Sequence, residues 1–379
     1  MEIDERLIEN LVSLRRSIHM EPELAGKEYL TVKKINDFIR SYNPDKTIQE
    51  IGKSGIAYIY RGMKSGPTIL LRAEIDALPI HETLPIKYHS LHKDISHKCG
   101  HDGHIAILCG VAAQLYANTL QRGKVILLFQ PGEETGQGAK LVLEDKRFTE
   151  IKPDFVFAFH NLPGFPFGSI ILKEDVFAMA SKGIHIKLNG KSSHASEPEK
   201  GKSPLKAFNE LMENIEKIPM ECAIPGSMIT ICHAKLGEPS FGISPGFAEI
   251  QVTLRCKNDT DMGVIGNKVI AYISEVAKSY KLSYEYEWKE EFPATVNNKD
   301  CVERIRLAAN TNAFETVFIS KPFRWSEDFG HFTSSFPGAY FGMGAGEEIP
   351  ALHHADYDFP DKLIKVGIQM YMALLNQVI

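Results

Sequence analysis

Thr68-Ile-Leu-Leu-Arg-Ala-Glu-Ile75 is too continuously apolar to keep a wet face, so it requires a central strand covered on both sides. Lys124-Val-Ile-Leu-Leu-Phe-Gln130 and Phe155-Val-Phe-Ala-Phe159 read the same way, and an apolar helix over 101–117 separates the first two of these runs. Buried strands alternating with helices predict an α/β fold, a mixed sheet with helices on both faces. In such sheets ligands bind beyond the carboxyl ends of the strands. Asp76, Glu133, Glu134 and His160 each fall just past a predicted strand end.

Helices are expected over 4–18 and 28–42, separated by Pro22 and Gly26. On the first of them Arg15, Arg16 and His19 read as a solvated face. From about residue 180 the pattern changes. Ile184-His-Ile-Lys-Leu188, Ala248 to Leu254 and Leu282 to Trp288 alternate apolar with polar, and 203–217 and 262–279 are helical. This describes an α+β module with a half-exposed sheet, residues 180–293, inserted into a first domain of residues 1–179 and 294–379. An apolar helix over 360–376 completes that first domain.

A length of 379 residues exceeds one ordinary core, in keeping with two domains. The net charge of -5 and the lack of a basic stripe exclude a nucleic-acid footprint and favour a small-molecule partner. No apolar run approaches the roughly 18 residues that cross a bilayer. Met1-Glu-Ile-Asp-Glu5 lacks the basic start and apolar core of a signal peptide. The six cysteines, at 99, 109, 222, 232, 256 and 301, have no CxxC spacing and read mostly as buried small hydrophobes, so a cytoplasmic location is expected.

Cys99-Gly-His-Asp-Gly-His104 packs a thiol, a carboxylic acid and two imidazoles into six residues at the start of a buried helix. Cys99 and His101 can turn toward one point, and sulfur with nitrogen suits zinc or a neighbouring transition metal. Two ligands do not complete a site. Glu133-Glu134, His160 and His353 are further ligand types flanked by Gly or Pro. Of adjacent carboxylates, one can bind metal while its neighbour, its pKa raised by burial and by its twin, serves as general base. A metal supplies the rest by acidifying water and polarising a carbonyl.

Seven motifs, in order and spacing, resemble the M20 metallopeptidase family. They are Arg15-Arg-Ser-Ile-His-Met-Glu-Pro-Glu-Leu24, Arg72-Ala-Glu-Ile-Asp-Ala-Leu-Pro79, Cys99-Gly-His-Asp-Gly-His104, Gln130-Pro-Gly-Glu-Glu134, Gly190-Lys-Ser-Ser-His-Ala195, Ser326-Glu-Asp-Phe329 and Leu352-His353. The resemblance is to the aminoacylase and amidohydrolase branch, with its hippurate hydrolases, N-acetyl-diaminopimelate deacetylases and auxin-conjugate hydrolases. It implies a zinc-peptidase-like catalytic domain and an inserted lid and dimerisation domain. It also implies two divalent ions per subunit (Zn, Mn, Co or Ni) held by Cys99, His101, Glu134, His160 and His353, with Glu133 as general base. Asp76 matches an aspartate that orients a ligand. His194 matches a histidine that reaches the partner subunit's site in a homodimer and stabilises the oxyanion. Arg255 matches an arginine that binds the substrate carboxylate.

Three positions depart from the family pattern: Glu74 in place of Asp, Glu199 in place of a second histidine, and Gly242-Ile-Ser-Pro245 in place of Asn-Val-Ile-Pro. The last removes an asparagine that usually helps to hold substrate. The expected activity is metal-dependent amide hydrolysis of an N-acyl amino acid or short peptide-like amide, with a dipeptidase or carboxypeptidase as the alternative. A cysteine hydrolase built on Cys99 leaves the Glu pair, His160 and His353 without a task. A non-catalytic ligand-binding relative has no use for Glu133.

Overall fold

The computed structural model describes residues 3–379. Met1 and Glu2, part of the N-terminal stretch read above for targeting, lie outside the described residues. The chain divides into two compact units. One runs to Phe177 and adds Thr295–Pro322 and Asp328–Ile379, and the other is Ala178–Ala294 with Phe323–Glu327.

The first unit is built on an eight-stranded mixed sheet. Six of its strands are β1 (Lys46–Ile51), β2 (Gly55–Arg61), β3 (Lys64–Glu74), β4 (Arg122–Gln130), β5 (Phe155–Pro163) and β6 (Ile170–Leu172). The others are Thr316–Phe318 and Gly338–Gly346. The spatial order is β1, β2, β4, β3, β5, Gly338–Gly346, β6, Thr316–Phe318. The four central neighbours, from β4 to Gly338–Gly346, are mutually parallel, so their carboxyl ends share one edge.

Alternate residues of the parallel strands face opposite layers. Ile69, Leu71 and Ala73 of β3, with Val125, Leu127 and Phe129 of β4, join a core made with α1 (Glu5–Met20), α3 (His101–Ala117) and the C-terminal helix Leu363–Val378. The opposite face packs against α4 (Gly138–Glu144) and the short helix Gly330–Thr333. Arg72 lies on that second face, fully buried, donating to Gln130 Oε1 at 2.9 Å and Asp328 Oδ1 at 2.6 Å, and paired with Glu74. A buried guanidinium survives because its donors are satisfied.

The second unit is an antiparallel sheet ordered Met228–Leu236, Phe247–Cys256, Ala180–Asn189, Ser283–Phe292. Ile184, Ile186 and Leu188 pair across from Val252, Ile250 and Ala248 on its buried face. Helices Leu205–Asn214 and Asp259–Ser279 contribute Leu211, Ile265, Val269 and Ile273 to the same unit's core. A separate two-residue ribbon pairs His194 with Ile243 and Ser193 with Ser244. No helix among the described residues is long and apolar enough to cross a membrane.

Two expectations change. Arg15 and His19 are not on a solvated face but fully buried. Carboxylates from distant segments surround them: Arg15 reaches Asp358 at 2.7 Å and Asp361 at 3.0 Å, and His19 sits 2.8 Å from Asp102 and 3.0 Å from Glu82. His160 lies inside β5 rather than beyond it, because pairing with Gly338–Gly346 carries the strand on to Pro163.

Candidate active site

The carboxyl edge of the four parallel strands gathers the residues singled out from the sequence. β3 leads into Asp76, β4 into a turn that carries Glu133 and Glu134, and β5 carries His160. Cys99 and His101 stand at the start of α3. Gly100, the N-cap, has φ 92, and a Cβ there would lie 2.5 Å from Asn161 Oδ1, so both backbone shape and space require glycine. His353 is itself held at φ 66, with its N–H donating to Lys98 O at 2.8 Å. A histidine in this left-handed conformation persists only where its surroundings impose it.

Several triads of ligand atoms result, one of them His101 with Glu133 and Glu134, and Cys99 belongs to two. Cys99, His101 and His160 form one, Cys99, Glu134 and His353 the other, and within each triad all ligand atoms lie within 4.8 Å of one another. Cys99 Sγ is 3.3 Å from His160 Nε2 and 3.4 Å from His353 Nε2. His101 Nε2 lies 4.0 Å from Glu133 and 3.9 Å from Glu134. Cys99, His101, Glu133 and His160 are buried, whereas the His353 side chain is 51 % exposed and marks the open rim.

These groups fit a cation. His101 Nδ1 donates to Asp76 O at 2.8 Å and His160 Nδ1 donates to Asn161 O at 2.9 Å, so in the neutral rings each Nε2 carries the lone pair. His101 Nε2 is buried with no hydrogen-bond partner among the described residues. Burial alone would lower the His101 pKa, but Asp76, Glu74 and Glu134 push it up to about 10, so the pocket favours positive charge at that nitrogen. Burial, then Glu134 and Glu133, push the Cys99 thiol well above its ordinary range. A cation reverses that by taking the proton's place on sulfur. Soft sulfur, imidazole and carboxylate together suit a divalent transition ion.

Of the supporting layer, the motifs assign a task only to Asp76. His104 spans Glu74 Oε2 at 2.7 Å and Asn161 Oδ1 at 2.6 Å, so the glutamate at position 74 holds one side of its ring. Asp76 Oδ2 accepts from Glu134 N at 2.9 Å and so fixes the glutamate turn. Asp102 Oδ2 holds His19 beneath the first turn of α3. Glu74, Asp102 and His104 lie in the quoted motifs without a task there, because each acts through a partner elsewhere in the chain.

In the other unit, His194 is exposed. Its Nδ1 accepts from Ser196 N at 3.1 Å and lies 2.7 Å from Ser196 Oγ, so the neutral ring carries its proton on Nε2. Arg255 is half-buried, donating to Arg324 O at 2.9 Å and Ser326 Oγ at 3.0 Å.

A parallel-centred α/β sheet whose edge carries thiol, imidazole and paired carboxylates defines a metallohydrolase. Residues 70–377 match Peptidase family M20/M25/M40, and the chain belongs to that family as a metal-dependent amidohydrolase. It is 30% identical over 368 residues to hippurate hydrolase of Campylobacter jejuni, covering 95% of this chain and 94% of that one. It is also 30% identical to N-acetyl-L-cysteine deacetylase of Bacillus subtilis, covering 96% and 87% respectively. The structure of the Bacillus subtilis YxeP protein, a dinuclear metal-binding peptidase of the M20 family, superposes with a TM-score of 0.83 at 25% identity, covering 98% of each chain.

Proposed function

We propose that this enzyme hydrolyses the amide bond of N-acyl amino acids or short peptide-like amides at a centre of two divalent ions. The observation that carries the reading is the sharing of Cys99 between two ligand triads, since residues grouped in this way would hold two ions side by side. Cys99, His101 and His160 would hold one ion and Cys99, Glu134 and His353 the other, drawn from Zn, Mn, Co or Ni. Ions bound there supply Lewis acidity, which polarises a carbonyl and acidifies water.

The protein's own groups perform the proton work. Glu133, which groups with His101 and Glu134 but lies outside both Cys99 triads, would take a proton from the attacking water and deliver it to the leaving amine. Asp76 keeps His101 and the Glu134 turn in place. His194 presents Nε2–H outward, the donor that a developing oxyanion requires. Its service in a partner's cleft, through a dimer formed by residues 180–293, and a carboxylate-binding role for Arg255 belong to the same proposal. So does a cytoplasmic location, in keeping with six free cysteines.

Hydrolysis assays over N-acetyl, N-benzoyl and dipeptide substrates, with Mn, Co, Zn or Ni added and with chelator as control, test this reading. Metal-dependent release of the free amino acid from an N-acyl substrate is expected. Cleavage of dipeptides alone would replace the N-acyl reading with the dipeptidase alternative, and turnover that survives chelation contradicts the chemistry.

A further inference from the structure

Glu28 is a fully buried carboxylate that the chemistry above does not use. It occupies the N-cap of α2 (Tyr29–Ile39), where a Ser, Thr, Asp or Asn side chain ordinarily caps the helix, and it makes no capping hydrogen bond. Glu23 does that work from five residues upstream. Its Oε1 accepts from Leu30 N at 3.1 Å, and its Oε2 accepts from Thr31 N at 2.8 Å and Thr31 Oγ1 at 3.0 Å.

Freed from capping, Glu28 turns inward. Oε1 accepts from Gly132 N at 2.9 Å, and Oε2 accepts from Ser54 Oγ at 2.6 Å. Gly132 has φ 65 and immediately precedes Glu133. The start of the same segment grips the neighbouring loop, where Ala77 N donates to Glu23 O at 2.8 Å and Leu24 bridges Ala77. Residues 23–28 therefore touch the backbone beside Asp76 and beside Glu133. Burying a carboxylate costs free energy that a Ser or Asn cap would avoid, and burial pushes the Glu28 pKa up. In return the carboxylate fixes one backbone N–H, that of Gly132, and one hydroxyl, that of Ser54.

We propose that Glu28 is a positioning residue for the hydrolytic step: its carboxylate holds the Gly132 N–H and thereby aims the Glu133 carboxylate. It touches neither substrate nor metal ligand. The inference rests on Glu133 as the base.

Steady-state kinetics test it, using the N-acyl amino acid that the parent cleaves fastest and saturating metal. Glu28→Met keeps length and loses the acceptor, and kcat is expected to fall roughly 10²-fold, the cost of a misplaced catalytic group. KM should stay within about twofold, because binding is not what is lost. Metal content should be unchanged. Glu28→Gln still accepts from Gly132 and donates to Ser54, and should recover most of kcat. A parental kcat in Glu28→Met, equal losses in the Met and Gln variants, or a rise in KM alone overturns the proposal. Should Glu28→Met fail to fold, Ser54→Ala releases Oε2 and is expected to lower kcat with KM unchanged, and a parental kcat there overturns it as well. Glu133→Gln separates the two ideas. An active Glu133→Gln removes the base assignment, whereas an inactive one beside a fully active Glu28→Met removes only the positioning role.

Discussion

Asp76 meets His101 chiefly through its backbone, with the carbonyl oxygen 2.8 Å from Nδ1 and the nearest carboxylate oxygen at 3.6 Å. The carboxylate instead receives Glu134 N–H at 2.9 Å. Side-chain substitutions at Asp76 should therefore leave His101 oriented and disturb Glu134. Asp76→Ala is expected to weaken metal affinity roughly 10–100-fold, as for other supports of metal ligands. Asp76→Asn, whose amide oxygen still accepts from Glu134, should weaken it less. Competition against a chelating dye measures both, and equal losses would contradict this division of tasks.

The two glutamates should separate cleanly. Glu133→Gln is expected to keep its metal while turnover falls by roughly 10²–10⁴-fold. Glu134→Gln should lose metal as well, since its carboxylate closes the triad with Cys99 and His353. Elemental analysis beside kinetics checks this, and the opposite pattern of metal contents would exchange the roles.

The buried cluster under α3 sets a pH dependence of stability. Burial would lower the His19 pKa, but Asp102 and Glu82 raise it from 6.5 to about 9. A raised histidine contributes fully below its unfolded value and fades as pH climbs through its folded one. The gap in melting temperature between parent and His19→Gln should accordingly narrow from pH 6.5 to 9. A gap constant over that range would contradict the ion pairing. Arg15→Met, which removes the buried charge facing Asp358, Asp361 and Asp102, should cost about 3–5 kcal/mol in denaturant unfolding.

How far the sequence was legible follows the same physical division. Helix 101–117 was legible to the residue, because the apolar run from Ile105 to Ala113 lies inside it and Gly100 precedes it. Strand Gly338–Gly346 was not, since four glycines suppress any strand signal. Its glycines serve close packing instead: a Cβ on Gly344 would sit 2.0 Å from Pro166 O, and one on Gly338 2.4 Å from Val156 O. Cys99, His101, Glu134, His160 and His353 converge in space, as ligand-type residues at strand and helix ends suggested. Arg15, His19 and Glu28 were illegible, since a buried charge is recognisable only once its distant partners are in place.

Complementation tests the partner-cleft role proposed for His194. Glu133→Gln and His194→Ala chains, each expected to be inactive alone, are co-refolded. With random pairing half the dimers are mixed, and each mixed dimer holds one whole site, so activity should return to roughly a quarter of the parent. No recovery with mixed dimers present would contradict service across subunits.

Metal stoichiometry of the parent and of Cys99→Ala tests the two-ion centre most directly, because Cys99 is the residue common to both triads. Elemental analysis should find about two divalent ions per parent chain, as in other two-metal hydrolytic centres. Cys99→Ala should retain at most one and lose nearly all turnover. A variant with the same metal content as the parent would contradict the bridging sulfur.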